Sequence, residues 1–131
     1  MREIKFRGKR LDNNTQTSPA DGWVTGFYYQ GLCEGEVRHF IASYPCVWEV
    51  DPATVGQYTG LKDKNGEEIC EGDVLTDKFG SIGVVEWRNC GFVVNFGDVD
   101  IFLISDCFDD SYQMWAIGNM HDNPELLKGV E

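Results

Sequence analysis

A chain of 131 residues supports one domain, or one domain with a small appended lobe, and needs no metal or disulfide staple to fold. A formal net charge of −11 with 42% apolar residues leaves ample material for a core, while the acidity disfavours nucleic acid backbones and anionic membranes as partners. The five cysteines include no CxxC pair, which excludes a zinc ribbon or a thioredoxin-type site.

The chain opens on the charged residues Met1-Arg2-Glu3, which lead into a strand pattern and not an apolar leader. With an odd cysteine count and no apolar run of transmembrane length, a reducing cytoplasmic setting is expected, with the cysteines as small core residues or inert thiols. Ile4 and Phe6 alternate with Glu3, Lys5 and Arg7, the signature of a half-buried strand with a basic outer face. Residues 1–10 hold Arg2, Lys5, Arg7, Lys9 and Arg10 against Glu3, a local excess of +4, so the remaining 121 residues carry −15. Residues 11–21 are polar, rich in turn formers and read as a mobile loop.

Residues 23–29 and 37–44 read as strands around a turn at 31–36, and together as a hairpin. Pro45 interrupts the pattern before a short strand at 47–50. Asp51 followed by Pro52 is a helix start, and one short helical turn is expected there. The next stretch is the most specific in the chain. Asn65-Gly66 predicts a type I′ hairpin turn, which needs positive φ at both central positions. Glu71-Gly72-Asp73 is a second turn that feeds the run Val74-Leu75-Thr76. Strands are then expected at 82–87 and 92–96 around the loop Arg88-Asn89-Cys90-Gly91, at 99–104, and at 114–119, the last closing a barrel. Asn123-Pro124 begins a short capped helix.

Short strands, glycine turns and the absence of a sustained helical period predict a mainly β fold. Its expected form is a single domain, with an SH3-type β-barrel at about 57–119, additional N-terminal strands at about 1–56, and short helical turns. A tail at 120–131 carries the last of those turns. The aromatic side chains from Trp23 to Trp115 exceed what one small barrel needs, yet most are expected in the core. Tyr28 and Tyr29 point to opposite sheet faces, so one of them is expected to be exposed and to anchor an interface.

Few residues suggest chemistry. Asp63-Lys64-Asn65-Gly66 fails as a calcium loop, because glycine falls at loop position four and Val74 at position twelve. The acidic cluster Asp98, Asp100, Asp106, Asp109 and Asp110 has oxygen ligands for a cation, but such runs are usually solvated loops. His39 and His121 are 82 positions apart, and no nucleophile elbow or glycine-rich phosphate loop accompanies them or Cys46 and Cys107. His39 lies within an apolar strand and reads as structural. No catalytic residue, metal ligand or cofactor is therefore assigned.

Four segments together resemble the YopX family of phage and prophage proteins. They are the first ten residues, Trp23-Val24-Thr25-Gly26, the run from Val55 through Gln57-Tyr58-Thr59-Gly60-Leu61-Lys62-Asp63-Lys64-Asn65-Gly66 to Asp73, and the tail Ile117-Gly118-Asn119-Met120-His121-Asp122-Asn123-Pro124-Glu125-Leu126-Leu127. The resemblance implies a β-rich fold with an SH3-type barrel, a phage origin, an oligomeric state and no established enzymatic activity. The segment 13–20 is longer than the resemblance leads one to expect. Read together, these features favour a non-enzymatic phage accessory protein in the bacterial cytoplasm. It is expected to form homo-oligomers or to bind a host or phage protein, with Arg2, Lys5, Arg7, Lys9, Tyr28 and Tyr29 at the contact. An acidic phage effector occupying a basic site on a host nucleic-acid-binding protein is the first alternative. A barrel that binds nucleic acid directly through its basic strand is the second.

Overall fold

Eleven strands and three short 3-10 turns make up the computed structural model, which describes residues 4–11, 22–88, 90–97, 101–108 and 113–127. The fold is mainly β, and among the described residues no α-helix forms. The chain divides into two units, Met1–Tyr58 and Thr59–Glu131. Arg2, residues 12–21, and Asp98, Asp100, Asp109 and Asp110 lie outside the described residues.

The first unit is built on a long hairpin. Strand β1 (Phe6–Lys9) pairs antiparallel with β2 (Trp23–Cys33), β2 with β3 (Glu36–Ser43), and β3 with β4 (Cys46–Glu49). The start of β5 (Gly56–Lys62) lies on the other side of β1, through Phe6 opposite Gln57 and Arg7 opposite Gly56. The turn expected at 31–36 narrows to Glu34-Gly35, with φ of 54° and 83°. Positive φ at both central residues is the type I′ geometry, whose twist matches that of the flanking strands. It lets β2 run to 11 residues. The predicted helical turn is present at Pro52–Thr54, where Asp51 accepts a hydrogen bond from the Ala53 N–H at 3.0 Å. Thr54 then ties this turn to the sheet, its Oγ1 accepting the Lys9 N–H at 2.8 Å.

In the second unit the end of β5 pairs with β6 (Glu68–Cys70). A separate antiparallel sheet has the order β10-β9-β8-β7-β11, formed by β7 (Asp73–Thr76), β8 (Ile82–Arg88), β9 (Gly91–Asn95), β10 (Ile101–Leu103) and β11 (Trp115–Asn119). The segment expected to close a barrel is an edge of this open sheet, since β11 pairs only with β7 among the described residues. The strand expected at 99–104 is shorter, because Ile104 begins a 3-10 turn that buries Ile104 and Cys107. The final turn at Pro124–Leu127 is also 3-10, and the Asn123 side chain accepts from the Asn119 N–H at 3.3 Å.

The turn chemistry corrects one expectation. Asn65 does not have positive φ, so Asn65-Gly66 is not a type I′ turn. Asp63 decides the local geometry. Its Oδ1 accepts the N–H groups of Asn65 at 2.9 Å and Glu67 at 3.0 Å, and its carbonyl accepts that of Gly66 at 3.0 Å. Only Gly66 takes up the left-handed conformation, at φ 81°. The same pattern recurs fourteen residues on. Asp77 Oδ1 accepts from Phe79 at 2.9 Å and Ser81 at 3.0 Å, its carbonyl accepts from Gly80 at 3.1 Å, and Gly80 has φ 82°. Asp63-Lys64-Asn65-Gly66-Glu67 and Asp77-Lys78-Phe79-Gly80-Ser81 are thus one turn built twice. Both aspartates are buried, at 6% and 5% exposure, because their oxygens face backbone N–H groups and not water.

Each unit has its own core. Val24, Ile41 and Val50 form the first, with Phe6, Tyr28, Trp48 and Val55 packed around them. The second holds Ile69, Leu75, Val85, Phe92, Val94, Ile104, Cys107 and Met114. These interiors are mostly aliphatic, contrary to the expectation of a largely aromatic core. Among the described aromatic residues only Tyr58 and Phe92 are buried. β-branched side chains on neighbouring strands make up most of these cores, and most of the larger rings pack around them or stay exposed.

Asp63 Oδ2 also accepts the Ala116 N–H at 3.0 Å, so this single carboxylate holds its own turn and the start of β11. Asp63→Ala should lower the unfolding free energy by about 2–4 kcal/mol in urea titration, through three N–H groups left without their acceptor. Asp77→Ala, which removes the acceptor of the Phe79 and Ser81 N–H groups, should cost at least about 1–2 kcal/mol. A loss of under about 0.5 kcal/mol for Asp63→Ala, the size of an ordinary surface substitution, would show that the turn does not depend on the carboxylate.

Candidate functional site

Side chains alternate across a strand, and the register of the first unit therefore assigns its two sheet faces. Trp23, Thr25, Phe27 and Tyr29 share one face of β2. Opposite them in the ladder lie Lys9 and Arg7 on β1, and Ala42 and Phe40 on β3. Val47 and Glu49 continue the same face on β4. The contrary face carries Val24 and Ile41, which face the core.

The outward face is rich in rings and cations. Arg7 and Lys9 both lie over the Trp23 indole, at 4.9 and 5.6 Å from its centroid, and Lys5 lies 5.0 Å over the Tyr58 ring. Tyr29 and Phe40 stack at 5.2 Å. Phe27 is 71% exposed, Val47 56% and Tyr29 45%. A ring on a sheet face that stays this exposed contributes little to folding, and such residues are enriched where proteins meet. Beyond the core the hairpin also exposes Leu32 and Val37, which pair directly on the other face. Tyr44 is fully exposed at the turn between β3 and β4.

The residues singled out from the sequence separate accordingly. Lys5, Arg7, Lys9 and Tyr29 fall on the outward face. Tyr28 is on the inward one, where its hydroxyl meets His39 Nδ1 at 2.6 Å and accepts from Gln30 at 3.1 Å. The ring of Tyr28 also packs on Phe6 at 5.7 Å. His39 is thus engaged in a side-chain network of the sheet. Phe27, Phe40 and Val47 were not singled out by sequence reasoning. The signal was present: every second residue from Trp23 to Tyr29 has the same parity as the exposed Tyr29, once the register to β1 and β3 is known.

Cys107 is buried, with its thiol 3.8 Å from the Leu103 carbonyl oxygen. Among the described residues no group of three or more His, Cys, Asp or Glu side chains gathers around a cation-sized space. Asp106 alone of the predicted acidic cluster is described, in the 3-10 turn Ile104–Cys107. No helix among the described residues is long and apolar enough to cross a membrane.

Charge is divided unequally between the units. Residues 1–58 hold six Lys and Arg against seven Asp and Glu, a net −1, whereas residues 59–131 hold five against fifteen, a net −10. The acidity is therefore a property of the second unit.

The family model for YopX protein matches residues 5–128. The chain belongs to the YopX family. A solved structure, protein EF1440 from Enterococcus faecalis, is similar to this YopX chain over 97% of its length and 99% of the other, at 25% identity and a TM-score of 0.50. No curated protein matches the chain.

The two faces of the YopX sheet should respond differently to mutation. Ile41→Ala, in the core, should cost about 2–5 kcal/mol of stability. Phe27→Ser, on the outward face, should stay within about 0.5 kcal/mol of the parent. Comparable losses in a thermal melt would mean that the Phe27 ring is covered by the protein's own structure.

Proposed function

We propose that the protein is a non-enzymatic phage accessory protein that acts in the bacterial cytoplasm by gripping protein surfaces, its own copies among them. The observation that carries this reading is the outward face of the first unit, where Phe27, Tyr29 and Val47 are exposed beside the stacked Phe40. Aromatic side chains held by a sheet lose little conformational entropy on contact, which suits an anchoring role. The basic strand carrying Lys5, Arg7 and Lys9 lies beside those rings, and charge there guides the approach and register of a partner more than it adds affinity. The reading needs no cofactor. It takes the second unit as an SH3-type arrangement, a scaffold that is compatible with many roles and specifies none.

A second reading is favoured by the net −10 of residues 59–131. A concentration of carboxylates on one unit suits an effector that occupies a basic site on a host nucleic-acid-binding protein.

Light scattering after size exclusion tests the first reading. At about 100 μM the parent protein should exceed its monomer mass of 14.8 kDa, and Phe27→Ser with Tyr29→Ser should return it to that mass. Reversing charge at Lys5, Arg7 and Lys9 should also shift the mass, and more so at low salt. A parent that stays monomeric at this concentration removes self-association from the reading.

A further inference from the structure

The duplicated turn of the second unit gathers positive charge and aromatic surface on a strongly acidic body. Each copy places a lysine directly after its aspartate, Lys64 in the first and Lys78 in the second. Both lysines are exposed, and neither makes an ion pair among the described residues. That is notable in a unit where carboxylates outnumber cations three to one. Each lysine instead lies over a ring: Lys64 Nζ is 4.1 Å from the Trp115 centroid, and Lys78 Nζ is 5.2 Å from that of Phe79.

The two turns belong to one corner of the unit. The Asp63 carboxylate holds the Ala116 N–H, which ties the first turn to the start of β11. Trp115, the preceding residue, stands directly opposite Thr76 in the ladder between β11 and β7. Thr76 leads into the second turn, and Lys78 follows it by two residues, about 7 Å of chain. Ala116 and Leu75 form the next pair of the ladder and both pack in the core. Alternation therefore turns Trp115 and Thr76 outward. Phe79 is 74% exposed at the tip of the second turn.

We infer that this corner is a docking site for a short acidic segment of a partner protein, one with carboxylates on either side of an apolar or aromatic side chain. Lys64 and Lys78 would each face a carboxylate, and Trp115 and Phe79 would take the apolar group between them. Lysine heads held over rings are already positioned, which lowers the conformational cost of pairing them with a carboxylate. A nucleic acid strand offers the same local groups, but its continuous phosphate charge is repelled by the unit's net −10. A peptide with a few carboxylates is opposed far less. The turns themselves do not use the lysine side chains: aspartate oxygens and glycine conformation hold them. The site can therefore be altered without unfolding its support.

A two-dimensional nitrogen–proton NMR titration of the full chain provides the test. The probe is the peptide acetyl-Asp-Glu-Phe-Asp-Glu-amide, with its Asn/Gln counterpart and octathymidylate as comparisons. The acidic peptide should shift the Trp115 indole N–H and the amides at 64–66 and 78–80 saturably, with Kd below about 1 mM. Lys64→Glu with Lys78→Glu should abolish those shifts while leaving the spectrum of β8 and β9 unchanged, and Phe79→Ser should weaken binding several-fold. The inference is overturned if the peptide moves nothing up to about 5 mM, if the neutral peptide binds equally well, or if the charge-reversed protein still binds. Stronger shifts of the same signals by octathymidylate would also overturn it, and would assign the corner to nucleic acid.

Discussion

The second unit depends on one carboxylate. Asp63 is buried and receives three backbone N–H groups, two from its own turn and one from Ala116, 53 residues further along the chain. A charged acceptor serving several donors is worth more than neutral hydrogen bonds, and its removal leaves those donors dry and unsatisfied. Local turn chemistry and long-range sheet assembly therefore meet in a single side chain. The β5–β6 connection and the start of β11 are set together, and β11 in turn borders β7.

Much of this architecture was legible in the sequence, because alternation and turn formers are local signals. The strands expected at 23–29, 37–44, 82–87 and 92–96 from apolar alternation between glycine-bearing connections correspond to Trp23–Cys33, Glu36–Ser43, Ile82–Arg88 and Gly91–Asn95, although the first runs on through part of the expected turn. Asp51-Pro52 announced its 3-10 turn for the stated reason, a side-chain cap followed by a fixed φ. The Asn65-Gly66 turn was misread because the dipeptide was weighed without the aspartate two residues before it. An Asx oxygen that takes the Asn65 and Glu67 N–H groups stabilises a different turn. The type I′ geometry formed at Glu34-Gly35, where a glutamate tolerates positive φ because the flanking strands dictate the twist.

What remained hidden is the result of three-dimensional register. No local property distinguishes Phe27 from Phe92, yet one is exposed and the other buried, since facing depends on which partner strand each ring meets. Likewise, the charge contrast between residues 1–58 and 59–131 became visible only when the units were delimited. The outward face with Phe27, Tyr29 and Phe40 and the corner with Lys64, Trp115 and Lys78 both emerge from pairing, and each lies within one unit.

The repeated Asp-Lys-x-Gly turn has an engineering corollary. Each copy closes on its own aspartate, its own glycine and backbone N–H groups, so the side chain in the third place is relieved of any structural duty. Asparagine occupies that place in one copy and phenylalanine in the other. The two pentapeptides are in effect interchangeable cassettes, and a transplant between them would relocate an aromatic tip from one side of the corner to the other while strand registration stays as it is.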